Sequence, residues 1–290
     1  REGMSAAAVV LLVVSFTWEA ALRIRALSSG TGDRRAAQAR RLASPAARRG
    51  LFKSVLIYYA VPFRHYSIRR LYSRFVVAGD VVFDIGAHVG NRVAPLRAIG
   101  ARVVAVEPQP HCVELLHRLY GDDDGVTIVE AACGRKEAEA VLRISSAHPT
   151  LSTLSDRWVD SIKEHYSSDG IEWDHSVPVR TTTLDALVAE YGMPSFVKID
   201  AEGFEAEVLA GLSTPVDVVS FEFLPASPDA ALGALRAISR LGSYRFTYSM
   251  VESMHFEEHS LLTAEEMEAH LRAMRPDGRS GDIYAIRERV

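Results

Sequence analysis

The 290-residue chain carries 48% apolar and 24% charged residues, the balance of a globular protein long enough to bury a full core. Its two cysteines, Cys112 and Cys133, are too few for a disulfide framework and lack metal-ligand spacing; both read as reduced apolar side chains, as in a cytoplasmic protein. The net charge of −4 is unevenly divided: residues 1–75 hold 14 basic and 3 acidic residues (+11) and the remainder 19 and 34 (−15), which points either to a basic arm for a membrane surface or other polyanion, or to a solvated Arg-rich linker.

Residues 5–16 form an apolar run, shorter than the ~20 residues that a bilayer span needs. Positive charge follows it at Arg23, Arg25, Arg34, Arg35, Arg40 and Arg41. That order suits a marginal anchor with the folded domain on the cytoplasmic side, or a helix lying on a membrane or protein surface. Residues 28–50, rich in Ser, Gly, Ala and Arg, read as a linker or weak helix. The division expected is therefore an apolar and basic extension over 1–50 and a folded domain over 51–290. From 51 to 75 aromatics are interleaved with arginines; helical cover with snorkelling arginines is favoured over a nucleic-acid surface.

A regular pattern begins at Gly79. Residues 81–84 are a short apolar run ending at a carboxylate, a buried strand. Residues 91–99 have helix length, with Gly100 as their stop. A second strand over 102–106 ends at Glu107, a helix follows over 110–120, and a third strand covers 126–130. Residues 138–144 read as an edge strand. The stretch 148–177 shows little periodicity, and insertions of this kind often carry substrate contacts. Thr183 caps a helix over 184–191. Beyond it come a strand (196–200), a helix (205–212), a strand (216–223), a helix (229–241) and two last strands (244–250 and 282–287) around a helix (264–274). Strand–helix alternation up to about residue 240 predicts a parallel sheet covered by helices on both faces.

Ligands of such sheets bind beyond the carboxyl ends of the strands, near the switch point. The first strand–helix junction reads Asp84-Ile85-Gly86-Ala87-His88-Val89-Gly90. Gly86 permits a tight turn and close approach of a ligand, Ala87 belongs to the same turn, and Gly90 suits close packing as the helix begins. The dinucleotide pattern G-x-G-x-x-G would place glycine where Asp84 stands. A carboxylate there repels a pyrophosphate and suits a ligand with a cationic amino-acid end, as in S-adenosylmethionine. Glu107, 23 residues on, is placed to accept hydrogen bonds from both ribose hydroxyls. The segment 197–205 sets Asp200, Glu202 and Glu205 around Gly203. Three such carboxylates could bind the cofactor's amino group, hold a divalent cation or accept a proton. Asp200 is the favoured catalytic group with Glu202 as its helper, no metal ligand is assigned, and Glu205 suits charge matching at a helix start. Glu222, His148, Asp174 and His175 are lesser candidates.

The segments DIGAHVG, AVEPQP, TTLDAL and VKIDAEGFEAEVLAG resemble the FkbM family of S-adenosylmethionine-dependent methyltransferases over roughly residues 75–225. The resemblance implies a class I methyltransferase (Rossmann-like) α/β fold, with a mostly parallel seven-stranded sheet, and methylation of a hydroxyl on a sugar, glycan or small natural product. His88 stands where such sequences commonly have Asn. The competing readings are an NAD(P)-dependent oxidoreductase, which Asp84 disfavours, and a non-catalytic protein of the same fold acting at a membrane.

Overall fold

The computed structural model describes residues 45–59, 63–165, 170–251, 253–257 and 260–288. The apolar run at 5–16 and the basic stretch that follows lie outside them. Two helices, α1 (Pro45–Tyr59) and α2 (Arg64–Tyr72), lead into β1 (Val81–Ile85), α3 (Val93–Ile99), β2 (Arg102–Val106), α4 (Pro110–Tyr120) and β3 (Val126–Val129). An inserted unit follows, made of β4 (Ala132–Cys133), β5 (Ala138–Ile144), α5 (Asp156–His165) and β6 (His175–Thr182). The alternation then resumes with α6 (Leu184–Tyr191), β7 (Phe196–Ile199), α7 (Glu205–Leu209), β8 (Val218–Phe223), α8 (Pro228–Ser239), β9 (Tyr244–Met250), α9 (Ala264–Ala273) and β10 (Gly281–Arg287).

Seven strands form the main sheet in the order β3-β2-β1-β7-β8-β10-β9. The first five pair in parallel, so their carboxyl ends share one edge. After β1 the chain goes outward to β2 and β3 on one side; β7 and β8 extend the sheet on the other. The ends of β1 and β7 thus flank the switch point. The last strand, β10, enters between β8 and β9 and runs antiparallel to both.

Strand alternation divides the core. Phe83, Ile85, Val197, Ile199 and Phe221 face one layer, against Leu187 of α6, Val208 of α7 and Leu235 of α8. Val82, Val103, Phe196 and Tyr284 face the other, against Leu71 and Tyr72 of α2, Leu96 of α3 and Leu116 of α4. Helices cover both faces, as the alternation predicts. Helix α1 crosses residue 50, and its Leu51, Val55 and Tyr59 pack on Val89, Cys112 and Leu115. Among the described residues, no helix is long and apolar enough to cross a membrane.

The stretch 148–177 contains more structure than its sequence suggests. It holds a 3₁₀ turn at Pro149–Leu151, helix α5 and the start of β6, and β6 joins β4 and β5 in a second, three-stranded sheet. Pro178 lies inside β6, opposite Val141 of β5. Strand β4 reaches only Thr181 and Thr182, so β6 is an edge at Pro178, where a missing N–H costs no ladder bond.

Candidate active site

The ends of β1, β2 and β7 open into a cleft, at the edge of the sheet where ligands of such folds bind. One wall comes from Gly86, His88, Glu107 and Gln109. The facing wall comes from Asp200, Ala201, Glu202 and Phe204, and the inserted unit adds residues from Pro149 to Leu154. Tyr58 of α1 completes the lining.

The first wall is fixed by backbone donors. The amides of Gly86 and Ala87 donate to the Val106 carbonyl at 2.9 and 3.1 Å, tying the β1 turn to the end of β2. Glu107, 1% exposed, accepts the His88 N–H on Oε2 and the Gln109 N–H on Oε1, both at 2.8 Å. Each oxygen keeps a second lone pair for a ligand. Burial pushes the Glu107 carboxyl up to about 7, although these two donors pull against it. Gln109 also reaches the insertion: its amide donates to the Pro149 carbonyl at 3.2 Å and accepts from Ser152 Oγ at 3.0 Å.

The second wall is acidic. Asp200, Glu202 and Glu222 each place a carboxylate oxygen within 4.8 Å of the others, a geometry open to a shared proton or a divalent cation. Lys198, 1% exposed, lies beneath them, with Nζ 3.5 Å from Asp200 Oδ2 and 3.0 Å from Asp282 Oδ1. Burial favours a neutral Asp200. Lys198 and Arg92 outweigh it, a hydrogen bond with Glu222 adds to them, and the carboxyl stays below its ordinary range. Burial and the neighbouring acids push Glu202 and Glu222 well above theirs. Asp200 is therefore the ionised member of the trio, beside two carboxyls whose proton affinity is raised.

The loop after β7 is built from within. Glu205 Oε1 accepts the amides of Ala201 and Gly203, both at 3.1 Å, and burial raises its carboxyl to about 7. Glu202 has a φ of 50°, a left-handed backbone that few residues adopt, and its carbonyl accepts from Thr153 Oγ1 at 2.6 Å.

Of the residues singled out from sequence, Gly86, Glu107, Asp200 and Glu202 meet in the cleft. Asp84, Ala87 and Gly90 are not part of its lining. Asp84 is buried on the sheet face that carries Lys198, its register partner. Burial raises it to about 6 against the pull of Arg92 and Lys198, so the acidity facing a ligand comes from Glu107 and the Asp200 trio instead. A Cβ on Gly86 would overlap the Asp200 carbonyl, and one on Gly203 would overlap the Trp158 indole. Both glycines thus allow close contacts within the protein, and Gly86 also lines the cleft. Gly90 packs closely against Leu116 and Tyr120 of α4, as expected. Sequence reading missed Lys198, Arg92 and Gln109. Lys198 carried a signal, being a lone charge inside an apolar strand.

The FkbM methyltransferase domain matches residues 84–273, more than half of the chain. The chain belongs to the FkbM methyltransferase family. It is 28% identical over 146 residues to hexuronic acid methyltransferase AglP of Haloferax volcanii, covering 49% of this chain and 54% of that protein, so it spans about half the length of this relative. Two solved structures similar to it are precorrin-6y C5,15-methyltransferase from Geobacter metallireducens (15% identity, TM-score 0.40, 78% of this chain and 87% of that one) and a putative RNA methyltransferase from Pyrococcus horikoshii (14%, 0.41, 79% and 86%).

The FkbM chain has the class I methyltransferase fold, and its methyl donor is S-adenosylmethionine. The cleft fits that donor. Glu107 offers two pinned oxygens for ribose hydroxyls, and the acidic second wall suits a sulfonium and an ammonium group. Among the described residues, no cluster of cationic side chains lines the cleft to receive a pyrophosphate.

Proposed function

We propose that this FkbM methyltransferase methylates a hydroxyl group of a sugar, a glycan or a small natural product. The observation that carries the reading is the carboxylate trio at the cleft, one member ionised and two of high proton affinity. A hydroxyl acceptor must lose its proton as its oxygen takes up the methyl group, and the ionised Asp200 is the member of the trio able to receive it. Bound S-adenosylmethionine supplies an electrophilic methyl on a positively charged sulfur. In this reading Glu107 holds the ribose, Asp200 orients the acceptor hydroxyl in line with the methyl and takes up its proton as the O–H bond breaks, and Glu202 and Glu222 steady the Asp200 carboxylate from beside it. The residues from Pro149 to Leu154 select the acceptor.

The likeness to a hexuronic acid methyltransferase favours a sugar acid or a neighbouring sugar as acceptor. The acidic wall repels an ionised uronate carboxyl, which favours a hydroxyl over the carboxyl as the methylated group. Labelled methyl transfer from S-adenosylmethionine to uronic acid glycosides and neutral glycosides tests both points. An alkali-stable methyl ether supports the proposal; an alkali-labile ester places the methyl on the carboxyl and overturns it. The division at residue 50, and membrane contact through the basic segment before it, belong to the same proposal.

A further inference from the structure

We propose that His88 is itself a cofactor-binding residue, donating a hydrogen bond from Nε2 to an oxygen atom of S-adenosylmethionine. Of the backbone N–H and the two ring nitrogens of this cleft-lining residue, two are already engaged. Its backbone N–H donates to Glu107 Oε2 at 2.8 Å. Its Nδ1 lies 3.3 Å from Cys112 Sγ, on helix α4. Its Nε2 is buried and has no hydrogen-bond partner among the described residues, in a side chain 9% exposed that lines the cleft. A buried polar atom left unpaired carries a desolvation penalty, and a ligand in the cleft relieves it.

The contacts also fix which ring nitrogen carries the proton. Burial holds the Cys112 thiol protonated, far above its ordinary pKa. An imidazole nitrogen is a better acceptor than a thiol sulfur, so the S–H donates and Nδ1 accepts. Burial, with His111 nearby, pushes the imidazole down to about 3, so the ring has a single N–H. That N–H is on Nε2. The edge of the Tyr58 ring, 6.1 Å away at 73°, packs against the imidazole and restricts its orientation.

The backbone is consistent with this role. His88 has a φ of 46°. Asn, Asp and His adopt this left-handed region more readily than other side chains. An asparagine here would keep both the turn and an N–H donor, and an alanine would supply neither. The inference rests on the cleft being the cofactor site and is independent of the acceptor.

The test uses the full chain, labelled with ¹⁵N-histidine, with His88→Asn supplying the assignment. The imidazole signals are followed while S-adenosylhomocysteine, the unreactive product, is added. The expected result is an Nε2–H tautomer at His88 whose N–H resonance moves on binding. An Nδ1–H tautomer, or a resonance that stays in place while the ligand binds, overturns the proposal. Calorimetry supplies the second arm: His88→Ala weakens S-adenosylhomocysteine binding roughly five- to tenfold, and His88→Asn stays within about threefold. Wild-type affinity in His88→Ala overturns the proposal. Repeating the comparison with 5′-methylthioadenosine, which lacks the amino-acid end, separates the oxygens. The same loss places the bond on the ribose, and no loss places it on the carboxylate. A wild-type chain that binds neither ligand overturns the cofactor site itself, an outcome distinct from any difference between the variants.

Discussion

At the scale of the residue, Lys198 governs the charge of the cleft. Its ammonium is enclosed between Asp200 and Asp282 and has no route to water, so the protonation of Asp200 is set from below the site. This divides the labour between the two walls. Glu107 is pinned by amides and suited to holding, and Asp200 is ionised and suited to chemistry. Glu107→Ala should cost about 1.5–3 kcal/mol of S-adenosylhomocysteine binding, the value of a charge-assisted hydrogen bond. Calorimetry giving an unchanged affinity would remove Glu107 from the cofactor. Asp200→Asn should lower turnover while keeping most of that affinity. Chelation separates the two forms of the Asp200 assignment. If the trio handles the proton alone, EDTA leaves the rate unchanged; if it holds a cation, EDTA abolishes turnover and Mg²⁺ restores it. Full activity in Asp200→Asn would sink both.

The inserted unit matters at the scale of the element. It is anchored where the two walls end. Gln109 holds Pro149 and Ser152, Thr153 holds the Glu202 carbonyl, and Trp158 of α5 fills the space beside Gly203. Trp173 donates its indole N–H to the Leu151 carbonyl at 2.8 Å and meets Trp158 edge-on. The insertion therefore shapes the cleft and braces the loop after β7 together. Trp158→Ala should cost about 3–5 kcal/mol, the range for emptying a buried aromatic site. Denaturant unfolding measures the loss, and limited proteolysis should cut first between residues 149 and 175. A variant with the wild-type midpoint and cleavage pattern would show that α5 does not brace the loop.

For the whole molecule, the buried acids set the pH response. Asp84, raised to about 6, and Glu107 and Glu205, raised to about 7, bind protons more tightly when folded than their ordinary values near 4 imply, and Glu202 and Glu222 share that direction. The folded state thus holds extra protons as these groups titrate, and stability falls as pH rises through their folded values. His88 and His111, pushed down by burial to about 3 and about 4, act with the opposite sign below about 6.5. Asp200 acts only below the ordinary carboxylate range. From about pH 6.5 to 8 the acids stand alone, so the denaturant midpoint of the ligand-free protein should drop across that interval. A midpoint that rises there would contradict the burial of these carboxyls. If Glu107 holds the ribose as proposed, the hydroxyls favour its ionised form, so cofactor binding near pH 6.5 should release protons, detected as a heat that varies with the buffer.

Local pattern was enough for much of this architecture. Strands β1, β2 and β7 are apolar runs that announce burial by themselves. Helix α6 carries its own cap, with the Ala186 amide donating to Thr183 Oγ1 at 3.0 Å, and the carboxylates Glu107 and Asp200 follow their strands directly. The sequence by itself therefore determined the parallel sheet, the edge where the cleft opens, and the acidic pair that lines it. Tertiary structure decided what depends on partners distant in the chain. It set β10 between β8 and β9, joined β5 to β6 across the insertion, and brought Glu222 to Asp200. It also turned Gly86 toward the Asp200 carbonyl and buried Asp84 beside Lys198. The reason is physical: an apolar run records that a strand is buried, but pairing, register and the company of a buried charge are fixed only when segments far apart in sequence pack together.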